Sequence, residues 1–371
     1  PKRPFVANPV SLLDIKDNTV KDRIIGSAFV SVKPLKDLEV KLQLGVDRSF
    51  QKRSSYLPKT TLQGKTKNGR ADISQETSTA YLMELTAQYS KNFGDHNVKA
   101  IGGYSFQKFK NDGFSAGNSD FLVDGFGYNS LGSGNYKKPS VSSWASINSI
   151  ASLFARANYS YKGKYLLEAT VRADAASNFA PENRWGYFPS AAVAWRISSE
   201  SFMEKTHNWL DDLKLRFSYG TAGNNNIPSD QTSPIWSSSS TTWLNQFPSY
   251  WTSGIASGQS GSYASNPDLK WETTITRNMG LDYTLFGGKL TGSFEYYWNT
   301  TKDLLIAFPV SGSGYDYQYR NLGETENKGF EVSLTWNAIN TKNYGLTFSG
   351  NVGFNKNKVK SLGSLTCLLY T

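Results

Sequence analysis

Tyr165-Leu-Leu-Glu-Ala-Thr-Val-Arg172, Tyr187-Phe-Pro-Ser-Ala-Ala-Val-Ala-Trp-Arg196 and Leu213-Lys-Leu-Arg-Phe-Ser-Tyr219 follow one another within residues 163–224 of a 371-residue chain. Each alternates between two kinds of position. One set is apolar; the other is charged, hydroxylated or small. A period of two over this length specifies β-strand with one apolar face. The other face carries Glu168, Arg172, Arg196, Lys214 and Arg216. Tyr and Trp gather at the strand ends. An apolar outer face, a charged inner face and aromatic ends are the pattern of a strand in a membrane β-barrel.

The rest of the chain repeats it. Twelve strands are predicted near residues 21–33, 38–50, 76–91, 97–109, 150–162, 164–176, 184–197, 211–223, 271–285, 290–301, 326–337 and 344–359. Each has about ten residues or more, enough for a tilted strand to cross a bilayer, whereas strands in soluble proteins average about five to six. The connections are expected to alternate, short after odd-numbered strands and mostly long after even-numbered ones, as periplasmic turns and extracellular loops do. Residues 302–325 read as a loop, and a short helical turn is expected around Phe202-Met-Glu-Lys205. Arg277 breaks the pattern by falling on an apolar face with Ile275, Met279 and Leu281. It either snorkels or marks a bulge.

Composition agrees. Hydrophobic residues make up 38% and aromatic residues 14%. No run of 18 apolar residues exists, so no transmembrane helix is expected, which leaves a barrel open. The single Cys367 excludes an intrachain disulfide framework and a cysteine zinc site. The net charge of +10 comes from 40 Lys and Arg spread along the chain, so no nucleic-acid partner is expected. The chain opens on Pro1-Lys-Arg-Pro-Phe without Met or an apolar leader and stops without a closing strand, so an internal fragment of a longer precursor is expected. Residues 1–20 read as a loop segment, 21–359 as strands and loops, and 360–371 as an irregular end.

Several blocks resemble the barrel of SusC/RagA-type TonB-dependent outer-membrane transporters. They are Tyr165-Leu-Leu-Glu-Ala-Thr-Val-Arg-Ala-Asp174, Asn183-Arg-Trp-Gly-Tyr-Phe-Pro-Ser190, Trp195-Arg-Ile197 and Leu213-Lys-Leu-Arg-Phe-Ser-Tyr-Gly220 with Gly223-Asn224. They continue with Asn266-Pro-Asp-Leu-Lys-Trp-Glu272, Thr301-Lys-Asp-Leu-Leu305 and Asn327-Lys-Gly-Phe-Glu331. The resemblance covers essentially all 371 residues. It implies an all-β fold, an antiparallel transmembrane β-barrel in the Gram-negative outer membrane. The twelve strands would be part of a larger barrel of about 22, the size that holds a plugged lumen. The plug and TonB box that precede the barrel in that family are absent from this chain. The implied activity is TonB-dependent import of a large nutrient, an oligosaccharide or a peptide. The implied partners are outer-membrane lipid, a SusD-like surface lipoprotein and the TonB complex, which is met through the missing N-terminal part. The alternative is a passive porin or a surface-binding, adhesin-type barrel without energised transport.

Residue chemistry points away from an enzyme. No nucleophile, acid/base pair or ligand set can be assembled, and no catalytic residue, cofactor site or metal site is expected. His96 and His207 lie in separate turns without ligand spacing. Two groups of candidates remain. The charges Arg156, Arg172, Arg196, Lys214 and Arg216 are expected to face the lumen, either as ordinary paired wall or as contacts for a plug or substrate. The aromatics Trp236, Trp243, Phe247, Tyr250 and Trp251 lie in a long loop, where they either stack on a sugar or dock a partner, or pack the loop itself.

Overall fold

The computed structural model describes residues 9–137, 139–233, 263–310 and 315–363. Its strands are β1 (Lys16–Leu35), β2 (Leu38–Leu57), β3 (Arg70–Phe93), β4 (His96–Ser119), β5 (Ser140–Tyr161), β6 (Tyr165–Ala176) and β7 (Trp185–Arg196). They continue as β8 (Leu210–Asn224), β9 (Glu272–Leu285), β10 (Leu290–Lys302), β11 (Leu305–Pro309), β12 (Tyr317–Asn321), β13 (Glu324–Asn340) and β14 (Gly345–Ser361). Twelve of them form one sheet whose hydrogen-bonded order follows the chain from β1 to β14, while β11 and β12 pair separately as a hairpin. The expected twelve-stranded sheet is therefore present. Among the described residues no helix is long and apolar enough to cross a membrane.

The strand bounds depart from the sequence reading where alternation is weak. β1 begins at Lys16, inside the segment 1–20 that was expected to be a loop, and β14 runs to Ser361, two residues into the expected irregular end. β5 starts at Ser140, about ten residues early, through a Ser-rich stretch. β3 and β4 are each 24 residues. At about 3.3 Å per residue such strands far exceed a hydrocarbon core of about 30 Å. Their projecting ends lie beyond the hydrocarbon, where Ala71 packs with Phe121 of the following connection rather than against lipid, so nothing there requires alternation. The expected loop 302–325 contains the β11–β12 hairpin. The short helical turn is present as a 3-10 helix, Ser201–Thr206. One connection breaks the expected sorting: residues 197–209, between β7 and β8, outnumber residues 177–184, between β6 and β7.

The chain divides into two units. The first comprises Pro1–Phe29, Gln43–Met83 and Phe106–Ser149. Its buried core is small: Tyr56, Ala71 and Phe121, with Tyr128 and Leu131 against them. The Tyr56 hydroxyl donates to Asp124 Oδ1 at 2.5 Å. A five-residue helix, α1 (Leu62–Thr66), is capped by Thr61, whose Oγ1 accepts from Gly64 N at 3.0 Å. Two bidentate pairs tie β1 to β2. Arg23 reaches Asp47 and Arg53 reaches Asp17, each with contacts of 2.9 and 2.6 Å. The Arg53–Asp17 pair explains why β1 is already formed at its second residue.

The second unit comprises Val30–Leu42, Glu84–Ser105 and Ile150–Thr371. Its register aligns one apolar residue per strand into a row: Tyr159, Leu167, Val193, Phe217, Met279, Tyr296, Phe330 and Phe354. A second row runs Tyr165, Trp195, Leu215, Leu281, Phe294, Val332 and Val352. Most of these side chains are exposed, yet they are large and contiguous. The buried core lies instead under the long connections. A contiguous apolar surface of this extent needs a nonaqueous partner, and a lipid-facing band is that surface.

The short turns are built locally. Phe286, Gly287 and Gly288 all have positive φ, at 58°, 66° and 78°, a conformation that two glycines relieve. Asp211 Oδ2 accepts from both glycine amides, at 2.8 and 3.1 Å. After β7, Glu200 accepts from Tyr165 Oη at 2.6 Å and Trp195 Nε1 at 3.1 Å, and meets Lys164 Nζ at 3.3 Å. Hydrogen bonds from Tyr165 first, then Trp195, hold the Glu200 carboxyl below its ordinary value.

Two outcomes are expected, both in the full-length protein. A charge on the lipid face near mid-bilayer costs about 2–4 kcal/mol. Leu215→Arg should therefore cut the heat-modifiable, folded band in outer-membrane fractions far more than Arg216→Leu; equal loss would refute the facing. Glu200 contributes stability above its ordinary value of 4.5 and loses it as pH falls through the depressed folded value. Thermal unfolding should thus separate wild type from Glu200→Gln at neutral pH, with the gap narrowing as pH falls below 4.5. A constant gap across that range would count against the assignment.

Candidate functional site

The polar face of the second unit is built from paired charges. Lys214 and Arg216 stand two residues apart on β8, so they share that face. Lys214 Nζ lies 2.8 Å from Asp282 Oδ2. Arg216 Nη2 donates to Asp282 Oδ1 at 2.8 Å and to Glu295 Oε1 at 2.6 Å, bridging β8, β9 and β10. Gly280 makes the bridge possible: a Cβ there would lie 2.8 Å from the Arg216 guanidinium. Two cations meet two anions, so the cluster is neutral. The side chains are about a third exposed, and each such pair contributes only about 0.2–1 kcal/mol.

The other expected wall charges are also paired, but locally. Arg196 Nε lies 3.2 Å from Asp212 Oδ1, which accepts from Ser198 Oγ at 2.9 Å. Arg172 Nε donates to Asp174 Oδ1 at 2.8 Å, and its Nη2 donates to Ser152 Oγ at 2.9 Å. Arg156 Nε donates to Thr170 Oγ1 at 3.2 Å and lies 3.7 Å from Glu168. Of the five candidates, then, the structure brings only Lys214 and Arg216 into one cluster. Asp282, the hub of that cluster, was not singled out from the sequence, because alternation marks a face without naming partners.

The candidate aromatics Trp236, Trp243, Phe247, Tyr250 and Trp251 lie outside the described residues. The two ends of their loop are described, and they sit on a packed base. Phe179, Phe188, Ile227, Leu269 and Trp271 are buried with Ala176, and Ile150, Leu305 and Tyr319 pack against them. The Trp271 ring lies 5.5 Å from that of Phe179 and 5.4 Å from that of Phe188. Its Nε1 donates to Arg184 O at 2.8 Å. Gly223 leaves the space that Phe188 fills, since a Cβ there would fall 2.0 Å from the ring. Asn266 Nδ2 donates to Tyr319 O at 2.8 Å, and its Oδ1 accepts from Asp268 N at 3.1 Å. Asn321 bonds Lys270 through both its Oδ1 and its Nδ2.

This base was missed as a unit, although its parts are quoted blocks. Asn266-Pro-Asp-Leu-Lys-Trp-Glu272 is an Asx-type turn followed by the two anchors Leu269 and Trp271. Asn183-Arg-Trp-Gly-Tyr-Phe-Pro-Ser190 supplies the Arg184 carbonyl and Phe188. The loop thus leaves and returns to a rigid support, the setting in which recognition loops work. Tyr263, at the loop's return, donates to Asp230 O at 2.9 Å. Burial, then the nearby Asp230 charge, pushes its hydroxyl up to about 12, so it stays protonated as a donor.

The histidines are structural in place. His96 Nδ1 lies 2.7 Å from Tyr159 Oη and its ring packs on Tyr161; His207 Nε2 lies 3.1 Å from Ser198 O. Among the described residues no group of three or more His, Cys, Asp or Glu could hold a metal ion.

Comparison with known proteins bears on this arrangement. The family model described as TonB dependent receptor-like, beta-barrel matches residues 31–366. The chain is 34% identical over 357 residues to TonB-dependent receptor P3 of Formosa agariphila, covering 96% of this chain and 34% of that protein. It is 30% identical over 363 residues to TonB-dependent receptor SusC of Bacteroides thetaiotaomicron, covering 96% of this chain and 35% of that one. It superposes on a chain of the RagAB peptide transporter with a TM-score of 0.83 at 26% identity, covering 94% of this chain and 38% of that one. The chain thus spans about a third of the length of these curated relatives.

The loop base yields a further expected outcome. Removing a buried Trp side chain costs about 3–5 kcal/mol. In the full-length protein Trp271→Ala should speed protease cleavage within residues 225–271 while the heat-modifiable barrel persists. Trp271→Phe keeps a ring and loses one hydrogen bond, about 1 kcal/mol, and should fall between. Unchanged cleavage in Trp271→Ala would show that the base does not hold the loop.

Proposed function

The chain belongs to the TonB-dependent receptor-like β-barrel family, and from that premise we propose that its full-length protein imports a large nutrient across the outer membrane using energy relayed through TonB. Proteins of this kind reside in the outer membrane of Gram-negative bacteria. The observation that carries the reading is the division of the second unit's sheet into two faces. One is a continuous apolar belt, from Tyr159 to Phe354. The other is a self-neutralised polar wall around Arg216. Such a wall attracts neither sign of charge strongly and leaves recognition to the loops.

The substrate proposed is an oligosaccharide, supported by the aromatic density of the loop that bears Trp236, Trp243, Phe247, Tyr250 and Trp251. A peptide is the second reading, supported by the likeness to the RagAB peptide transporter. The five aromatics are proposed to contact substrate or partner. The charges Arg156, Arg172, Arg196, Lys214 and Arg216 are proposed to line the lumen. A SusD-like surface lipoprotein is the proposed partner at the loop end. The TonB complex would be met through parts of the full-length protein outside this chain.

The test is uptake of labelled oligosaccharide and oligopeptide pools by cells with and without the full-length gene. Gene-dependent uptake that stops when the proton gradient is collapsed, or when TonB is removed, supports energised import. Gene-dependent uptake that continues would replace it with a passive pore. The pool taken up decides between the two substrates.

A further inference from the structure

Arg277 does not mark a bulge. The β9 register is unbroken around Arg277 on both sides, and Arg277 pairs directly with Tyr219 and with Trp298. Its guanidinium lies 4.9 Å from the centroid of the Trp298 ring and 5.8 Å from that of Tyr219, and Nη1 donates to Thr300 Oγ1 at 3.2 Å. The same row continues to Lys328 on β13 and Lys356 on β14. This row sits directly above the apolar row Met279, Tyr296, Phe330 and Phe354, on the side of the long connections.

Beyond it the outward face stays basic. Lys302, Lys358 and Lys360 share it, against the two acids Glu324 and Glu326. Six cations over two anions leave an excess of four positive charges. Glu326 is already committed. It accepts from Trp298 Nε1 at 3.0 Å and lies 3.5 Å from Lys328 and 3.2 Å from Lys360. Lys356 and Lys358 make no ion pair among the described residues. Lys328 and Lys356 stand directly opposite each other, and like charges in that position destabilise a sheet.

The cluster is local. On the same face β5 to β8 carry no Lys or Arg. At the turn end β9, β10, β13 and β14 place Leu285, Leu290, Trp336 and Phe348 there. Snorkelling alone would scatter cations around both rims of the belt. On β9, β10, β13 and β14 they occupy one rim and not the other, beside stacked Phe330 and Phe354 rings, 5.8 Å apart. We propose that this sector, Arg277, Lys302, Lys328, Lys356, Lys358 and Lys360, binds the phosphorylated headgroup of a lipid of the outer leaflet, with its acyl chains on the apolar belt below. Phosphate between Lys328, Lys356 and Lys358 would relieve their mutual repulsion, and the paired rings give the chains a surface to lie on. A basic cluster at the headgroup level is the electrostatic signature of an anionic-lipid site.

The test uses the full-length protein purified in detergent and, as probes, a phosphorylated lipid A and the same lipid A with its phosphates removed, detected as bound adducts by native mass spectrometry. The phosphorylated form should be retained and the phosphate-free form lost. The triple variant Lys328→Gln, Lys356→Gln, Lys358→Gln, checked for folding by heat-modifiable migration, should retain at least about tenfold less. Equal retention of the two lipids, or of one lipid by wild type and a folded triple variant, would overturn the proposal. Should the variant fail to fold, the wild-type comparison of the two lipids still decides it. Neutralisation of these lysines by acids elsewhere in the full-length protein would appear as no phosphate preference and would overturn the proposal in the same way.

Discussion

In hydrocarbon an unpaired backbone N–H or C=O costs several kcal/mol, because no water is there to replace the lost hydrogen bond. A chain that crosses a membrane by strands must therefore pair every strand along its length. The sequential order β1 to β14 does this with neighbours in the chain, joined at one end mostly by short turns. Once pairing is imposed, side chains can only alternate between two environments. The apolar rows and the paired charges are the two halves of that alternation. The absence of a large core within the sheet follows as well, since each face already has its own solvent. Packing is needed only where connections fold over, and that is where Phe179, Phe188, Leu269 and Trp271 are buried.

The polar face solves a second problem. Charges set close together on one sheet face are partly desolvated, and each needs a counterion or a hydrogen bond. Arg216 meets two carboxylates, and Gly280 leaves the space its guanidinium occupies. Arg172 and Arg196 use acids within their own hairpins. The pairs contribute little stability individually. What they do is remove net charge from the polar face.

On β5 to β10, β13 and β14 the outward face departs from its own rule in one place, and the departure is ordered. Arg277 stacks between aromatic rings at the row where the apolar belt gives way, and lysines continue the row across β13 and β14. The cation–π contacts offset part of the cost of placing a guanidinium beside lipid. An aromatic girdle and a basic rim are thus one structure here, from Tyr219 on β8 to Lys356 on β14.

Alternation in the sequence determined the class of fold, the twelve principal strands and the face on which each side chain stands. It did so because a period of two is imposed locally, residue by residue, by the pleat and by two unlike solvents. It also identified Arg277 as an exception, leaving open whether a snorkelling side chain or a bulge accounted for it. It lost the outer parts of β3, β4 and β5 and the β11–β12 hairpin, where no lipid faces the strands and no alternation is required. Three things were decided only by tertiary structure: that Asp282 and Glu295 answer Arg216, that Trp271 closes on Arg184, and that Lys328 and Lys356 stand side by side. These residues are from 28 to 87 positions apart in the chain, brought together by strand register in the first and third cases and by packing of the connections in the second. Both are properties of the paired sheet, and no single strand carries them.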